Sequence, residues 1–181
     1  MTTPAEIPGY RSGTWIIEPA NSDVSFTVRY LGVTRAHGRF NEIAGEIVTG
    51  PAPGQSSVRA SIPAASIDTS FPGRDSYLRG EDVLQAGEHK ELTFTSAGIR
   101  AADGGYVLDG DLTIRGVTRP VSLALEVGGF AADPAEGGEV LGLSASATIT
   151  RSEFGFSPKL PAAVISDAIA IRLDIQARLA A

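Results

Sequence analysis

Gly110-Asp111-Leu112-Thr113-Ile114-Arg115-Gly116-Val117-Thr118-Arg119-Pro120-Val121 decides the fold. Upstream of its turn, Tyr106, Leu108, Leu112 and Ile114 share one parity, and Asp109, Asp111, Thr113 and Arg115 the other. Downstream, Val121, Leu123, Leu125 and Val127 alternate with Ser122, Ala124 and Glu126. Period two with one apolar face is the pattern of a half-buried antiparallel strand. Gly116-Val117 suits a two-residue hairpin loop with glycine first, a type II′ turn. That loop pairs Leu112 with Val121 and Leu108 with Leu125, which keeps both apolar sets on one face. Pro120 then falls near a strand start, where a missing N–H is tolerated.

The same rhythm recurs on both sides. Val24, Phe26, Val28 and Tyr30 alternate with polar residues, as do Val58, Ala60 and Ile62. Leu92, Phe94 and Ser96 follow, then Leu141, Leu143, Ala145, Ala147 and Ile149, and last Ile169, Ile171, Leu173 and Ile175. Residues 36–48 slip parity between Phe40 and Ile43, which predicts a β-bulge near Asn41-Glu42. Turn chemistry marks Gly50-Pro51-Ala52-Pro53-Gly54, Pro72-Gly73 and Asp103-Gly104-Gly105, and the glycine pairs 128–129 and 137–138 are assigned to one hairpin loop. Two segments break the rhythm. Residues 68–89 carry one or two short helical pieces, limited by Gly80 and Gly87, with Asp75 as a cap and Tyr77, Leu78, Val83 and Leu84 on the apolar side. Residues 152–167 form a long loop rich in large apolar side chains. About eight strands of roughly ten residues, joined in series by short turns, close naturally into an antiparallel up-and-down β-barrel, because closure removes exposed edges. The fold class is therefore all-β with a short helix, and a two-sheet sandwich, whose strands tend to be shorter, is the competing architecture. Residues 1–12 are expected to be a flexible tail and 13–181 a single domain.

Composition narrows the function. The 181 residues include 43% apolar side chains, enough for one substantial core. Fifteen basic against 21 acidic residues give a net charge of −6, which argues against nucleic-acid binding. No cysteine is present, so thiolate chemistry and disulfides are excluded. The two histidines, His37 and His89, lie on separate segments without metal-site spacing, so no metal is expected and each is read as a surface or rim residue. No apolar run approaches a membrane span, and residues 1–13 lack the apolar centre of a signal peptide, so a cytoplasmic location is expected. No nucleophile elbow, phosphate loop or dinucleotide fingerprint occurs, so no catalytic residue is assigned.

Four separated segments carry a resemblance. Ser66-Ile67-Asp68-Thr69 with Arg74-Asp75 and Leu78, Leu92-Thr93-Phe94-Thr95-Ser96, the hairpin at 110–121, and Ile149-Thr150-Arg151-Ser152-Glu153-Phe154-Gly155 occur in order. Together they resemble the YceI-like, polyisoprenoid-binding family. The hairpin matches its G-x-L-T-x-x-G-V-T-x-P-V segment, and residues 149–155 its N-R-S-x-F-G segment. The chain departs from the pattern at Tyr77, where the family often has His, at Val83-Leu84 in place of an aromatic pair, and at Lys90-Glu91, which lacks a preceding proline. The resemblance implies a lipocalin-like barrel that binds, sequesters or carries a long isoprenoid, polyprenyl or quinone-type, with no cofactor beyond that lipid.

The inward parity nominates Phe26, Val28, Tyr30, Phe40, Ile62, Phe94, Gly110, Leu112, Leu123, Leu143, Ala145 and Ile171 as lumen-lining. Small residues among them, with Gly38, Ala60 and Ala147, either leave a channel or only accommodate barrel taper. Phe71, Arg74, Tyr77, Leu78, Arg151, Phe154 and Phe156 are nominated for the mouth, as headgroup contacts or lid. Arg79 and Lys159 are further cationic candidates, and Tyr77, His89 and Ser96 candidate partners of a quinone. The irregular segments read equally as lids or as satellite hydrophobic clusters. Competing functions are an enzyme using the lumen for a small hydrophobic substrate, or a filled-core structural protein. The expected partner is a hydrophobic small molecule or lipid, and a homodimer stays open.

Overall fold

The structure, a computed structural model, describes residues 7–102, 104–156 and 160–180. Eleven strands alternate inward apolar and outward polar side chains: β1 Gly13–Ile17, β2 Asp23–Tyr30, β3 Thr34–Phe40, β4 Ala44–Thr49, β5 Ser57–Pro63, β6 Ile67–Asp68, β7 Glu91–Ala102, β8 Gly105–Ile114, β9 Val117–Ala132, β10 Glu139–Thr150 and β11 Ala168–Leu179. They form one antiparallel sheet. Its closed circuit runs β1-β4-β5-β7-β8-β9-β10-β11 and back to β1, which is an eight-stranded barrel. One helix, α1 Pro72–Arg79, lies in the excursion between β6 and β7.

The first two staves of the barrel are each made of two strands. β1 and β2 both pair with β11, the first through Trp15 opposite Leu179 and the second through Val24 opposite Leu173. Between them a 3-10 turn at Pro19–Asn21 leaves the ladder. The gap is bridged by Glu18 N–H to Gln176 O at 2.8 Å and by Gln176 N–H to the Ser22 hydroxyl at 3.2 Å. Pro19 cannot donate to a ladder, so this is where it is tolerated.

β3 and β4 replace the bulge expected near Asn41-Glu42. The parity slip is real, with Phe40 and Ile43 both packed inward. It arises because the stave changes partner. β4 hydrogen-bonds to β5, whereas β3 hydrogen-bonds to β6, and Asn41 N–H reaches Ser66 O at 2.9 Å. A bulge would have kept one partner throughout.

The β8–β9 hairpin also differs from the expected register. Ile114 faces Val117 and Leu108 faces Leu123, so the loop is Arg115-Gly116. Both residues have positive φ, 55° and 73°, which is the type I′ combination. The shift is two residues, so the apolar sets stay on the same face. True register shifts occur elsewhere, between Ser96 and Gly98 in β7 and opposite Gly142/Leu143 where β9 carries Gly128-Gly129. That glycine pair thus lies inside a strand, and only Gly137-Gly138 belongs to the hairpin loop.

α1 begins earlier than expected. Pro72 occupies the first turn, where its missing N–H is no loss, and Pro72-Gly73 therefore opens the helix. Asp75 is not its cap; its buried carboxylate reaches back to Thr69, accepting from the backbone N–H at 2.8 Å and from the hydroxyl at 2.5 Å. Arg74 donates to the same threonine, from Nε to the hydroxyl oxygen and from Nη2 to the carbonyl, both at 2.8 Å. The two charged neighbours fasten the helix to the barrel rim through Thr69.

The barrel is plugged at both ends. At the helix end, Val83 and Leu84 cluster with Ile114, Ile149 and Phe154. At the other end, Trp15 is fully buried beside Leu141 and Ala177, and its indole N–H donates to the Thr49 hydroxyl at 2.9 Å. Residues 1–6 of the expected tail lie outside the described residues. Residues 7–12 lie on this end: the Tyr10 hydroxyl donates to Gly50 O at 2.8 Å and the Tyr10 ring meets Phe130 edge-on. Asp103, in the expected 103–105 turn, also lies outside the described residues. Among the described residues no helix is long and apolar enough to cross a membrane.

Outside this end, Arg178 ties three elements together. It donates to Glu18 at 3.3 Å, Asp133 at 2.8 Å and Gly137 O at 2.5 Å. The Asp133 carboxyl is held below its ordinary range, first by Arg178 and then by the backbone N–H groups of Glu136 and Ala135. Glu18 is lowered too, mainly by the Gln176 amide. A carboxyl lowered by folding adds stability above its unfolded pKa, and that stability is lost as the pH falls through the folded value. Urea midpoints measured from neutral pH into the acid range should therefore fall steeply in the wild type. Arg178→Met should start lower at neutral pH and show a shallower acid limb.

Candidate functional site

The two plugs leave the middle of the barrel unfilled by side chains. The cavity has a volume of about 880 Å3, within the range of small-ligand sites. Two inward glycines help to keep it open. A Cβ on Gly110 would come within 2.4 Å of the Phe94 ring, and one on Gly38 within 2.2 Å of the Phe26 ring. Each phenyl ring therefore lies against bare backbone on the neighbouring strand. An alanine at either place would push a ring into the lumen.

Sixteen of the nineteen residues nominated from sequence line this cavity. From the wall come Phe26, Val28, Tyr30, Phe40, Ile62, Phe94, Leu112, Leu123, Leu143, Ala145 and Ile171, and from the end segments Arg74, Tyr77, Leu78, Arg151 and Phe156. Gly110 faces inward but is covered by Phe94, so it seats the lining and is not part of it. Phe154 is buried in the end plug, stacked on Phe156 at 5.7 Å between centroids. Phe71 projects outward under the Arg74 guanidinium. Lys159 lies outside the described residues.

The cavity opens on one side. Among the described residues its exposed lining comes from two stretches: Tyr30, Thr34, Arg35 and His37 of the β2–β3 hairpin, and Ser70, Arg74 and Tyr77 around α1. Between these stretches β3 pairs with β6 only at Arg39 and Phe40, so the sheet parts beyond them. The mouth is this slit. Arg35 and His37 were missed from sequence because their parity places them on the outer face. They reach the cavity only because β3 has lost its neighbour there.

Charge is distributed unevenly around the site. Among the described residues no aspartate or glutamate lines the cavity, whereas Arg35, Arg74 and Arg151 do. In a chain with net charge −6, that is a local reversal of sign. Arg151 is buried and holds the end loop: its guanidinium donates to Phe156 O at 3.3 Å, Leu160 O at 2.9 Å and Ile165 O at 3.0 Å. Arg79 donates to the carbonyls of Ala65 and Ile67, away from the lining. Ser96 accepts from Val58 N–H, and His89 packs against the Arg115-Gly116 turn, so of the proposed quinone partners only Tyr77 reaches the cavity.

Known proteins share this fold. Residues 15–177 match the model of the YceI-like domain. A UPF0312 protein of Shewanella sp. (strain W3-18-1) is 32% identical over 145 residues, which cover 79% of this chain and 75% of that protein. The YceI protein of Campylobacter jejuni superimposes with a TM-score of 0.75 at 28% identity, covering 84% of this chain and 90% of the other. A polyisoprenoid-binding domain from Saccharophagus degradans superimposes with a TM-score of 0.70 at 14% identity, covering 94% and 100%; at that identity the likeness is one of fold.

Replacing the Arg151 guanidinium leaves three loop carbonyls short of their charged donor, a change worth about 3 kcal/mol. Arg151→Leu should lower the urea midpoint accordingly. Limited proteolysis should then cut between residues 152 and 167, where the wild type resists.

Proposed function

Because the chain belongs to the YceI-like family, we propose that it binds a long-chain isoprenoid lipid, polyprenyl or quinone-type, in the barrel lumen and so sequesters or carries it. The observation that carries this reading is an apolar lumen whose charged lining, among the described residues, is all cationic. The tail lies among Phe94, Leu112, Leu123 and Leu143. The headgroup sits at the slit, within reach of Arg35, His37, Arg74 and Tyr77. A diphosphate suits the arginines, and a quinone carbonyl suits one hydrogen-bond donor. The Saccharophagus degradans domain of the same fold is a polyisoprenoid binder, which supports the same ligand class here.

Magnitudes agree with this reading. At ~30 Å3 per carbon group, the space of one water in its liquid, the lumen takes on the order of thirty carbons. Burial yields roughly 0.8 kcal/mol per methylene-sized group, so about ten net groups already give micromolar affinity. The remainder offsets the ordering of a flexible chain. We read the barrel as a binder and not a catalyst. Its lining is predominantly apolar side chains, which suits holding a chain and not reacting with it.

Organic extraction of the purified protein followed by mass spectrometry should yield lipids of one isoprenoid series. Native mass spectrometry should show uptake of added polyprenyl alcohol or quinone. A protein that yields no such lipid and takes up neither would overturn the reading. Ala145 lies on the cavity wall opposite Leu125 and Leu173. Ala145→Phe should weaken uptake about tenfold, the worth of roughly two displaced groups, with little change in thermal stability. A collapse in stability would show that the lumen has no room to spare.

A further inference from the structure

The rim of the slit carries the largest exposed apolar side chains of the described structure. Leu31 is 51% exposed and Val33 76%, at the tip of the β2–β3 hairpin; Tyr30, at 46%, flanks them. Phe71 at 61% and Tyr77 at 43% stand on the other lip. Among the described residues only Ile16, on β1, is a comparably exposed large apolar residue away from the mouth. Monomeric surfaces scatter such residues singly, so a group gathered on one opening points to a partner.

The tip is also built against local preference. Leu31 has φ of 55°, a left-handed conformation in which a branched apolar side chain is unfavourable and asparagine or glycine is the usual choice. Arg29 and Arg35 face each other directly across the β2–β3 ladder. Like charges in opposed positions weaken a sheet, and among the described residues neither arginine has an ion-pair partner. Arg29 does donate to Gly32 O at 3.4 Å within the tip, but no ion pair among the described residues offsets the opposed charges. A surface that is apolar at its tip and cationic just behind it suits a bilayer bearing anionic headgroups. Leucine and valine enter the acyl boundary, the tyrosines lie at the headgroup level, and the arginines meet phosphates.

We infer that the mouth docks on an anionic lipid bilayer through the tip Tyr30-Leu31-Gly32-Val33 and the opposing Phe71 and Tyr77, with Arg29 and Arg35 as the electrostatic contact. This deepens the reading of the barrel as a lipid container, since docking sets the slit against the phase that holds the ligand. A prenyl chain then passes between bilayer and lumen without crossing water.

Flotation of the full chain with vesicles of phosphatidylcholine and phosphatidylglycerol, against phosphatidylcholine alone, tests this. The wild type should float with the anionic vesicles and much less with the neutral ones. Leu31→Asn with Val33→Thr should reduce binding by about tenfold per side chain, while thermal stability holds or rises because asparagine accepts the left-handed turn. Arg29→Gln should lower binding about fivefold on anionic vesicles and leave neutral vesicles unaffected. The inference is overturned if the wild type floats with neither vesicle, or if a folded tip variant floats as the wild type does. A tip-dependent dimer in size-exclusion chromatography without vesicle binding also overturns it, in favour of a second copy as the occupant. Uptake of polyprenyl alcohol from detergent micelles, followed by native mass spectrometry on the same tip variant, reads the lumen separately. Uptake without flotation sinks the docking alone, and tip-dependent flotation without uptake upholds the docking while the lipid-container reading fails.

Discussion

Barrel closure by β11 is the constraint on which the remaining structure depends. That strand pairs with β10 along its length on one side and with both β2 and β1 on the other. A sheet this long and twisted would otherwise present two open edges. Closure forces the first stave to track β11 past its own interruption at 18–22, where the Ser22 hydroxyl takes the place of a ladder carbonyl. It also forces every inward side chain toward one axis. Whether the axis holds a core or a lumen is then decided by side-chain volume alone.

Volume is controlled by a few small residues. Phe26 and Phe94 would take up part of the lumen if each stood up from its strand. Gly38 and Gly110 let them lie back against the wall. The plugs at the two ends act in the opposite sense, gathering Trp15, Leu141, Phe154, Val83 and Leu84 where the staves converge. The barrel is thus full at its ends and open in its middle, with the slit beside β3 as its opening. The break between β3 and β4 produces that slit, because β3 turns away from β5 to pair briefly with β6.

Much of this was legible in the sequence, for a physical reason. Period-two alternation reports burial on one face, and it identified the wall residues of the staves and the order in which they follow one another. It reports nothing about which neighbour a strand bonds to. The slip at Phe40–Ile43 therefore looked like a bulge when it is a change of partner, and Arg35 and His37 were not seen as lining. A two-residue shift of register is silent in the pattern, which is why the loop was placed at Gly116-Val117 and not at Arg115-Gly116, since either glycine-containing pair fits hairpin chemistry. The segment 7–12 has no alternation at all, yet Ile7 and Tyr10 line the floor of the cavity through long-range contacts with Gly50 and Phe130. Arg74 and Arg151 stand out as cations near the mouth, but alternation carries no sign that Thr69 and the loop carbonyls engage them.

The unfilled middle of the barrel has a mechanical consequence. A wall around some 880 Å3 of lumen lacks, along the middle of its staves, the close-packed side chains that resist deformation in an ordinary core. A chain packed into the lumen would make the wall stiff from within, so the cargo is also a structural strut of its own container.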